Sequence, residues 1–281
     1  MRPCLAALLP QVGRLGAELI VADGDGHGLP DDPPAEVRWV RRPGASPYQL
    51  RAMGLAAAGG QIVAVTEDHC VVGPDWCEQV LDAHRRWPHA EVIGGAVENG
   101  ATSRLIDWAN FLVALSTYLP PMPTGEREQV AGQANVSYKA RVLLERYPAI
   151  GMIEAHFQRQ VRARGGVLVS DDRPMVDHVQ SLGFWKTLAV HFDNGRCQGG
   201  FDRALIPASE LIRRFLAVAL APLWVAKQSA RILLRMLLRR RRFQRETFRA
   251  LPYVSLLLSV HIAGDLTGLI FGPGTSPGRM R

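Results

Sequence analysis

The feature that most constrains this chain is a set of short apolar runs that stop abruptly at turn or acidic residues, with helix-like segments between them. Glu18 to Ala22 (E-L-I-V-A) ends in Asp23-Gly24-Asp25-Gly26, and Val37 to Val40 ends in Arg41-Arg42-Pro43-Gly44. Gln61 to Thr66 (Q-I-V-A-V-T) ends in Glu67-Asp68-His69. Runs of four to six apolar residues bounded by such turns read as buried strands. Further strands are expected at Ala90 to Val97, at Val167 to Val169, and just before Asp177-His178. Tyr48 to Ala58, stopped by Gly59-Gly60, reads as a helix, as do Pro74 to Arg86, Val136 to Tyr147 and Met152 to Arg164. Residues 100–131 read as a helix and a loop over the sheet. Strands alternating with helices imply an α/β fold with a mainly parallel sheet flanked by helices, whose ligands gather at strand ends.

The last third has another character. Residues 201–281 carry 14 basic residues against 4 acidic ones, whereas residues 1–200 carry 19 against 22. The net charge of +7 therefore belongs to the tail. Phe215 to Ala226 is a run of 12 almost wholly apolar residues; a basic amphipathic stretch follows and ends in Arg239 to Arg242. Leu251 to Gly272 is a second apolar stretch of 22 residues, interrupted by His261, Gly264 and Asp265. A bilayer span needs about 20 mostly apolar residues, and an acid near its middle costs about 2.5–3.5 kcal/mol. Basic amphipathic segments of this kind more often lie in the membrane interface than cross it, with a spanning hairpin or a soluble helical cap as the alternatives. The expected division is a globular domain at 1–203 and a membrane-associated helical region at 204–281. The Arg cluster suits anionic lipid better than nucleic acid, because no aromatic residues are interleaved with it and the globular part is acidic. Four cysteines without a C-x-x-C pair exclude a disulfide scaffold and a zinc ribbon. No secretory signal pattern is present near Met1.

The chemistry-bearing candidates sit where those strands end. Glu67, Asp68 and His69 leave one strand together and form a turn suited to a divalent cation. Oxygen ligands suit Mg²⁺ or Mn²⁺, and the imidazole tilts the choice to Mn²⁺. Asp23 can accept a hydrogen bond from a base or ribose, although Asp-Gly is also a common turn pair. Glu154, at a helix start, is a candidate general base. His178 follows a strand, and Arg51 is placed to meet a phosphate.

The order of these segments resembles family 2 glycosyltransferases of the GT-A fold. E-L-I-V-A-D, then R-x-x-G-L-x-x-A-x-G with Arg51, Gly54 and Leu55, then Q-I-V-A-V-T-E-D-H-C-V-V-G-P-D-W with Pro74-Asp75-Trp76, follow that family's sequence of blocks. Gly132-Gln133-Ala134-Asn135 is similar to its Gly-x-Asn segment, and the resemblance spans roughly residues 5–200. It implies that Asp23 contacts the nucleotide base and that Arg51, Asp68 and His178 serve the nucleotide-sugar diphosphate. It also implies that Glu67, Asp68 and His69 hold Mn²⁺ or Mg²⁺, with Asp68 the key acid, and that Glu154 deprotonates an acceptor hydroxyl. The implied reaction is inverting transfer from a nucleotide-sugar to a glycan or lipid-linked acceptor, at the cytoplasmic face of the inner membrane. The chain departs from the family's pattern at Glu-Asp-His, in place of Asp-x-Asp, and at Ala155, where a second acid is usual. Measured against that family it opens within the first helix, which implies a domain without its first strand and part of its donor site. The alternative is a non-catalytic relative that binds a nucleotide or a partner.

Overall fold

The computed structural model describes residues 1–24, 35–144, 146–207, 209–212, 220–239 and 243–280. The chain forms two compact units: Met1–Gly100 with Thr117–Gln180, and Ala101–Ser116 with Ser181–Arg281. The boundary expected at 203/204 falls instead near the end of a helix wholly inside the second unit.

The first unit is α/β. Helix α1 (Arg2–Leu15) leads into β1 (Leu19–Asp23), which pairs in parallel with β2 (Val37–Arg41) as a separate two-stranded sheet. Helix α2 (Pro47–Ala57) starts at a capping box: Ser46 Oγ accepts from the Gln49 N–H at 3.3 Å, and Gln49 Oε1 accepts from the Ser46 N–H at 3.0 Å. Pro47 at the first helical position fixes the entry, so Arg51 is set one turn into a well-anchored helix.

The second sheet contains β3 (Ile62–Val65), β4 (Cys70–Val72), β5 (Ala90–Asn99), β6 (Gly125–Glu126), β7 (Val136–Lys139) and β8 (Val167–His178), in the order β3-β7-β5-β8-β4 with β6 against β8. Only β5 and β8 are parallel in it; the other pairings are antiparallel. The expectation of a mainly parallel sheet is therefore corrected to a mixed one. Two misread segments, together with the unforeseen short strands β4 and β6, account for the difference. Val136 to Lys139 is a central strand rather than the start of a helix, and Val136, Ser137 and Tyr138 are all buried between β3 and β5. The strands expected at 167–169 and before 177 are one strand of 12 residues, because Asp171 at its centre is buried and paired rather than turned to solvent. Its carboxylate accepts from Arg86 Nη2 at 2.6 Å, from Trp87 Nε1 at 3.2 Å and from the Arg173 N–H at 3.2 Å. Helices α3 (Trp76–Arg86) and α5 (Glu154–Ala163) complete the unit. Val92, Tyr138, Phe157, Val161 and Leu168 lie in one core cluster.

The second unit is helical: α4 (Leu105–Leu115), α6 (Phe184–Leu205), α7 (Ala221–Arg239), α8 (Gln244–Phe271) and α9 (Ser276–Arg279). Helices α6 and α8 cross at a pair of G-x-x-x-G segments, Gly195/Gly199 and Gly264/Gly268. A Cβ at Gly199 would lie 2.1 Å from the Asp265 carbonyl oxygen, and one at Gly264 would lie 2.1 Å from that of Phe192. Backbone meets backbone there, the geometry small residues permit. Polar contacts hold the middle of α6: His191 with Asn110 at 2.9 Å, and Asp193 with Ser276 and Arg279, each at 2.6 Å. Helix α8 is long and apolar enough to cross a membrane. The side chains of the Arg239 to Arg242 cluster, and residues 215–219 of the first apolar run, lie outside the described residues.

Candidate functional site

The end of β3 folds into a tight turn in which the Cys70 N–H donates to the Glu67 carbonyl at 2.9 Å. Thr66 Oγ1 ties its start to the Ala134 carbonyl at 2.9 Å, and the Val179 N–H ties its end to the His69 carbonyl at 2.9 Å. Cys70 then faces His178 across the antiparallel β4–β8 ladder. Directly opposite residues share a face of the sheet, so two positions more than a hundred residues apart are brought side by side. One donor atom from each of Glu67, His69, Cys70 and His178 lies within 4.8 Å of all the others.

His69 is the centre of this cluster. Its Nε2 is 3.3 Å from Glu67 Oε2, its Nδ1 is 2.9 Å from Asp68 Oδ1, and its ring meets that of His178 edge-on at 4.8 Å. Burial opposes a charge on His69, but the Asp68 and Glu67 carboxylates on its two nitrogens prevail and lift its pKa to about 9. Burial would push Glu67 up; the His69 hydrogen bond and the charges of His69, His178 and Arg51 hold it below the usual carboxylate range. The same His69 bond keeps Asp68 low. His178 is pushed down to about 4, first by burial and then by the charge on His69.

A second set of groups adjoins the first. Gly151 adopts φ +98° with its Cα against the Tyr48 carbonyl, where a Cβ would sit 2.2 Å away; the Met152 N–H donates to that same carbonyl at 2.9 Å. This close approach seats the start of α5 on α2. Arg51 Nη1 donates to the Met152 carbonyl at 3.1 Å, and Arg51 Nε lies 3.5 Å from Glu154 Oε1, with both side chains only 8% exposed. The other Glu154 oxygen rests against Gly132, where a Cβ would meet it at 2.8 Å.

An acid at a helix start beside an arginine is favoured as the anion. Here burial outweighs both influences and, with the Glu67 charge adding to it, raises the Glu154 pKa. Tyr138 is fully buried close enough to feel Glu154 and Arg51, and burial pushes its phenol well up. Among the described residues, Arg51 Nε, Glu154 Oε1 and Tyr138 Oη have no hydrogen-bond partner. Arg51 Nε and Glu154 Oε1 face each other at 3.5 Å, and with Tyr138 Oη they give this neighbourhood incompletely bonded polar atoms that a polar ligand could complete.

The expected site residues thus fall into two adjoining sets. Glu67, His69 and His178 come together, joined by Cys70, which the sequence reading missed. Asp68 is 62% exposed and binds His69 rather than joining the four donors. Arg51 pairs with Glu154 rather than standing open to a phosphate. Asp23 is buried at the end of β1 in the two-stranded sheet, and residues 25–34 after it lie outside the described residues. Trp76 and Asn135, from two of the blocks that carry the resemblance, are joined: Trp76 Nε1 donates to Asn135 Oδ1 at 3.0 Å, while Asn135 Nδ2 donates to the Ala96 and Pro174 carbonyls at 2.7 and 2.9 Å. That pair holds the 132–135 segment against Glu154.

The four-donor set holds two imidazoles, one thiol and one carboxylate. Mg²⁺ takes oxygen ligands almost throughout and fits this set poorly; borderline-soft cations fit it well. No family model matches the chain, and no curated protein matches it.

Proposed function

We propose that the chain is a membrane-associated inverting glycosyltransferase of the GT-A type that takes its sugar from a nucleotide-sugar. The observation that carries this reading is Glu154: a buried carboxylate of raised pKa, with one oxygen that lacks a hydrogen-bond partner, beside a strand-end acid–histidine turn. A general base works best when its pKa lies near the working pH, and burial moves Glu154 in that direction. In the proposed reaction Glu154 Oε1 accepts the proton of an acceptor hydroxyl as that oxygen attacks the anomeric carbon. The bond from carbon to the diphosphate oxygen breaks, and the nucleoside diphosphate leaves with the electron pair. Arg51 positions Glu154. Tyr138 and the 132–135 segment exclude water around it, and a divalent cation at the Glu67–His69 turn would offset charge on the leaving diphosphate.

The acceptor is a glycan or lipid-linked hydroxyl. Helix α8 and exposed apolar side chains such as Trp185, Leu223, Leu238 and Phe271 support a membrane location. The Arg239 to Arg242 cluster would add anionic-lipid attraction at about 1 kcal/mol per basic residue near the surface. Nucleotide-sugars place the site on the cytoplasmic face. The pairing of Arg51 with Glu154, together with Ala155, favours a second reading as a nucleotide-binding protein without turnover.

One experiment separates the two. The full chain, reconstituted in vesicles containing anionic lipid, is offered a panel of uridine, guanosine and thymidine diphosphate sugars. Release of nucleoside diphosphate that is lost in Glu154→Gln, with donor binding retained, is expected. Binding without release leaves the second reading, and neither binding nor release overturns both.

A further inference from the structure

We propose that Glu67, His69, Cys70 and His178 form a four-coordinate site for a borderline-soft divalent cation of the zinc class, with Asp68 as the carboxylate that orients His69. Three features of the fold point there. The first is the donor set: two imidazole nitrogens, a thiol and a carboxylate oxygen within 4.8 Å of one another. Bond lengths of about 2.0–2.3 Å give a tetrahedral site edges of about 3.3–3.7 Å. The His69 Nε2 to Glu67 Oε2 edge is already 3.3 Å, and the widest separation closes by about 1 Å through side-chain rotation.

The second feature is the orientation of the His69 ring. With Nδ1 held 2.9 Å from Asp68 Oδ1, Nε2 is the nitrogen turned toward Glu67. A carboxylate that holds the outer nitrogen of a ligating histidine is the usual support of such centres, and it explains why Asp68 stands beside the four donors instead of among them. The third is Cys70. It is completely buried, it is in no disulfide, and its strand register sets it opposite His178. A Mg²⁺ site built on Glu67, Asp68 and His69 would need Asp68 to turn inward and would leave Cys70 without a purpose.

With four protein ligands the ion has no open position, so under the proposed transferase reading it would act on the leaving diphosphate through its charge and not by coordination, and only that use rests on the transferase reading. Binding is tested with metal alone and no nucleotide-sugar, so either can fail without the other. The full chain is stripped with chelator and titrated with Zn²⁺ against a chromophoric competitor, and with Co²⁺ under reducing conditions. One equivalent is expected, with a sulfur-to-cobalt charge-transfer band in the near ultraviolet and the intense visible bands of tetrahedral cobalt. Cys70→Ser should abolish the charge-transfer band and weaken binding, whereas Cys77→Ser, in α3, should leave both unchanged. Asp68→Asn should keep the band and weaken affinity by about 10–100-fold, as loss of an outer-shell partner does. Should Cys70→Ser fail to fold, X-ray absorption of the zinc-loaded wild-type protein reads the sulfur ligand directly. A wild-type spectrum without sulfur ligation, a band that survives Cys70→Ser, or preferential Mn²⁺ or Mg²⁺ binding that Asp68→Asn abolishes would each overturn the assignment.

Discussion

Replacing Arg51 with methionine probes the centre of the proposed site. The change removes the cation 3.5 Å from Glu154 and the hydrogen bond to the Met152 carbonyl. At an effective dielectric constant of about 20, unit charges at that separation attract by about 4–5 kcal/mol. Removing one partner of a buried pair costs about 3–5 kcal/mol, because the other charge is left uncompensated. Arg51→Met should therefore destabilise the first unit by about 4 kcal/mol. Glu154→Gln, which keeps an acceptor for the guanidinium, should cost about half of that. The double variant should fall short of the sum by at least about 2 kcal/mol, since the pair is directly coupled.

The pH dependence has a definite sign. Without Arg51, burial and Glu67 act on Glu154 against the Gln133 backbone hydrogen bond alone, so its folded pKa rises further above its unfolded value. A group of that kind supports the fold below its unfolded pKa and withdraws that support as pH rises through the folded pKa. The loss in Arg51→Met should accordingly be greater at pH 8 than at pH 5. Urea unfolding at both values, read through hydrogen exchange of the β5 and β7 amides, measures it. Singles that add to within about 0.5 kcal/mol, or a loss independent of pH, would refute the reasoning.

Other outcomes follow from the same structure. Burial holds His84, bonded through Nε2 to Ser137 Oγ at 2.9 Å, down at about 4. The unfolded chain takes up that proton near 6.5, so stability falls as pH drops from about 6.5 toward 4, by at most about 3 kcal/mol. His84→Gln should flatten that part of the stability profile against pH. Gly199→Ala should destabilise the helical unit by about 1–3 kcal/mol or more, because its Cβ would sit 2.1 Å from the Asp265 carbonyl where ordinary contact begins at 3.4 Å. Gly13→Ala, in α1 with no heavy atom within 4 Å, should instead stabilise by about 0.5–1 kcal/mol; thermal unfolding reads both signs. Gly132→Ala should displace the Glu154 carboxylate by about half an ångström and lower turnover at least tenfold with donor affinity unchanged; equal turnover would detach Glu154 from the chemistry.

The parts of the fold that sequence made legible are those governed by local chemistry. Apolar runs stopped by acids marked β1 and β3, and Gly59-Gly60 marked the end of α2. Glu67 and His69 were visible as a site because they are neighbours in sequence. What sequence hid depends on register. Val136 to Lys139 has neighbouring strands on both sides and is buried on both faces, so it lacks the alternation that separates a strand from a helix segment. Asp171-Asp172-Arg173-Pro174 reads as a turn until Arg86 and Trp87 arrive from α3 to neutralise the first acid. Cys70 is one more strand residue until β8 runs antiparallel to β4 and places His178 opposite it. The G-x-x-x-G pair at 195–199 and 264–268 stood in the sequence, but only the approach of two helices gives it meaning.

Comparing the buried acids shows why Glu154 is set apart. Asp171 has no exposed surface and three donors, from Arg86, Trp87 and its own strand. Asp193 is met by Ser276 and Arg279 together. In both, the cost of burying a charge is offset by hydrogen bonds that complete the carboxylate, and such groups hold a fold together. Glu154 is buried too, yet among the described residues one oxygen has no hydrogen-bond partner, and the Arg51 cation stands at 3.5 Å with its own Nε in the same condition. A scaffold that only needed to close this space would gain by filling it with an apolar side chain, since a buried ion pair often stabilises less than well-packed hydrophobic residues. That an incompletely bonded carboxylate is retained, wedged between Gly132 and Arg51 and sharing the field of Glu67, is the arrangement expected where an absent polar group is to supply the missing bonds.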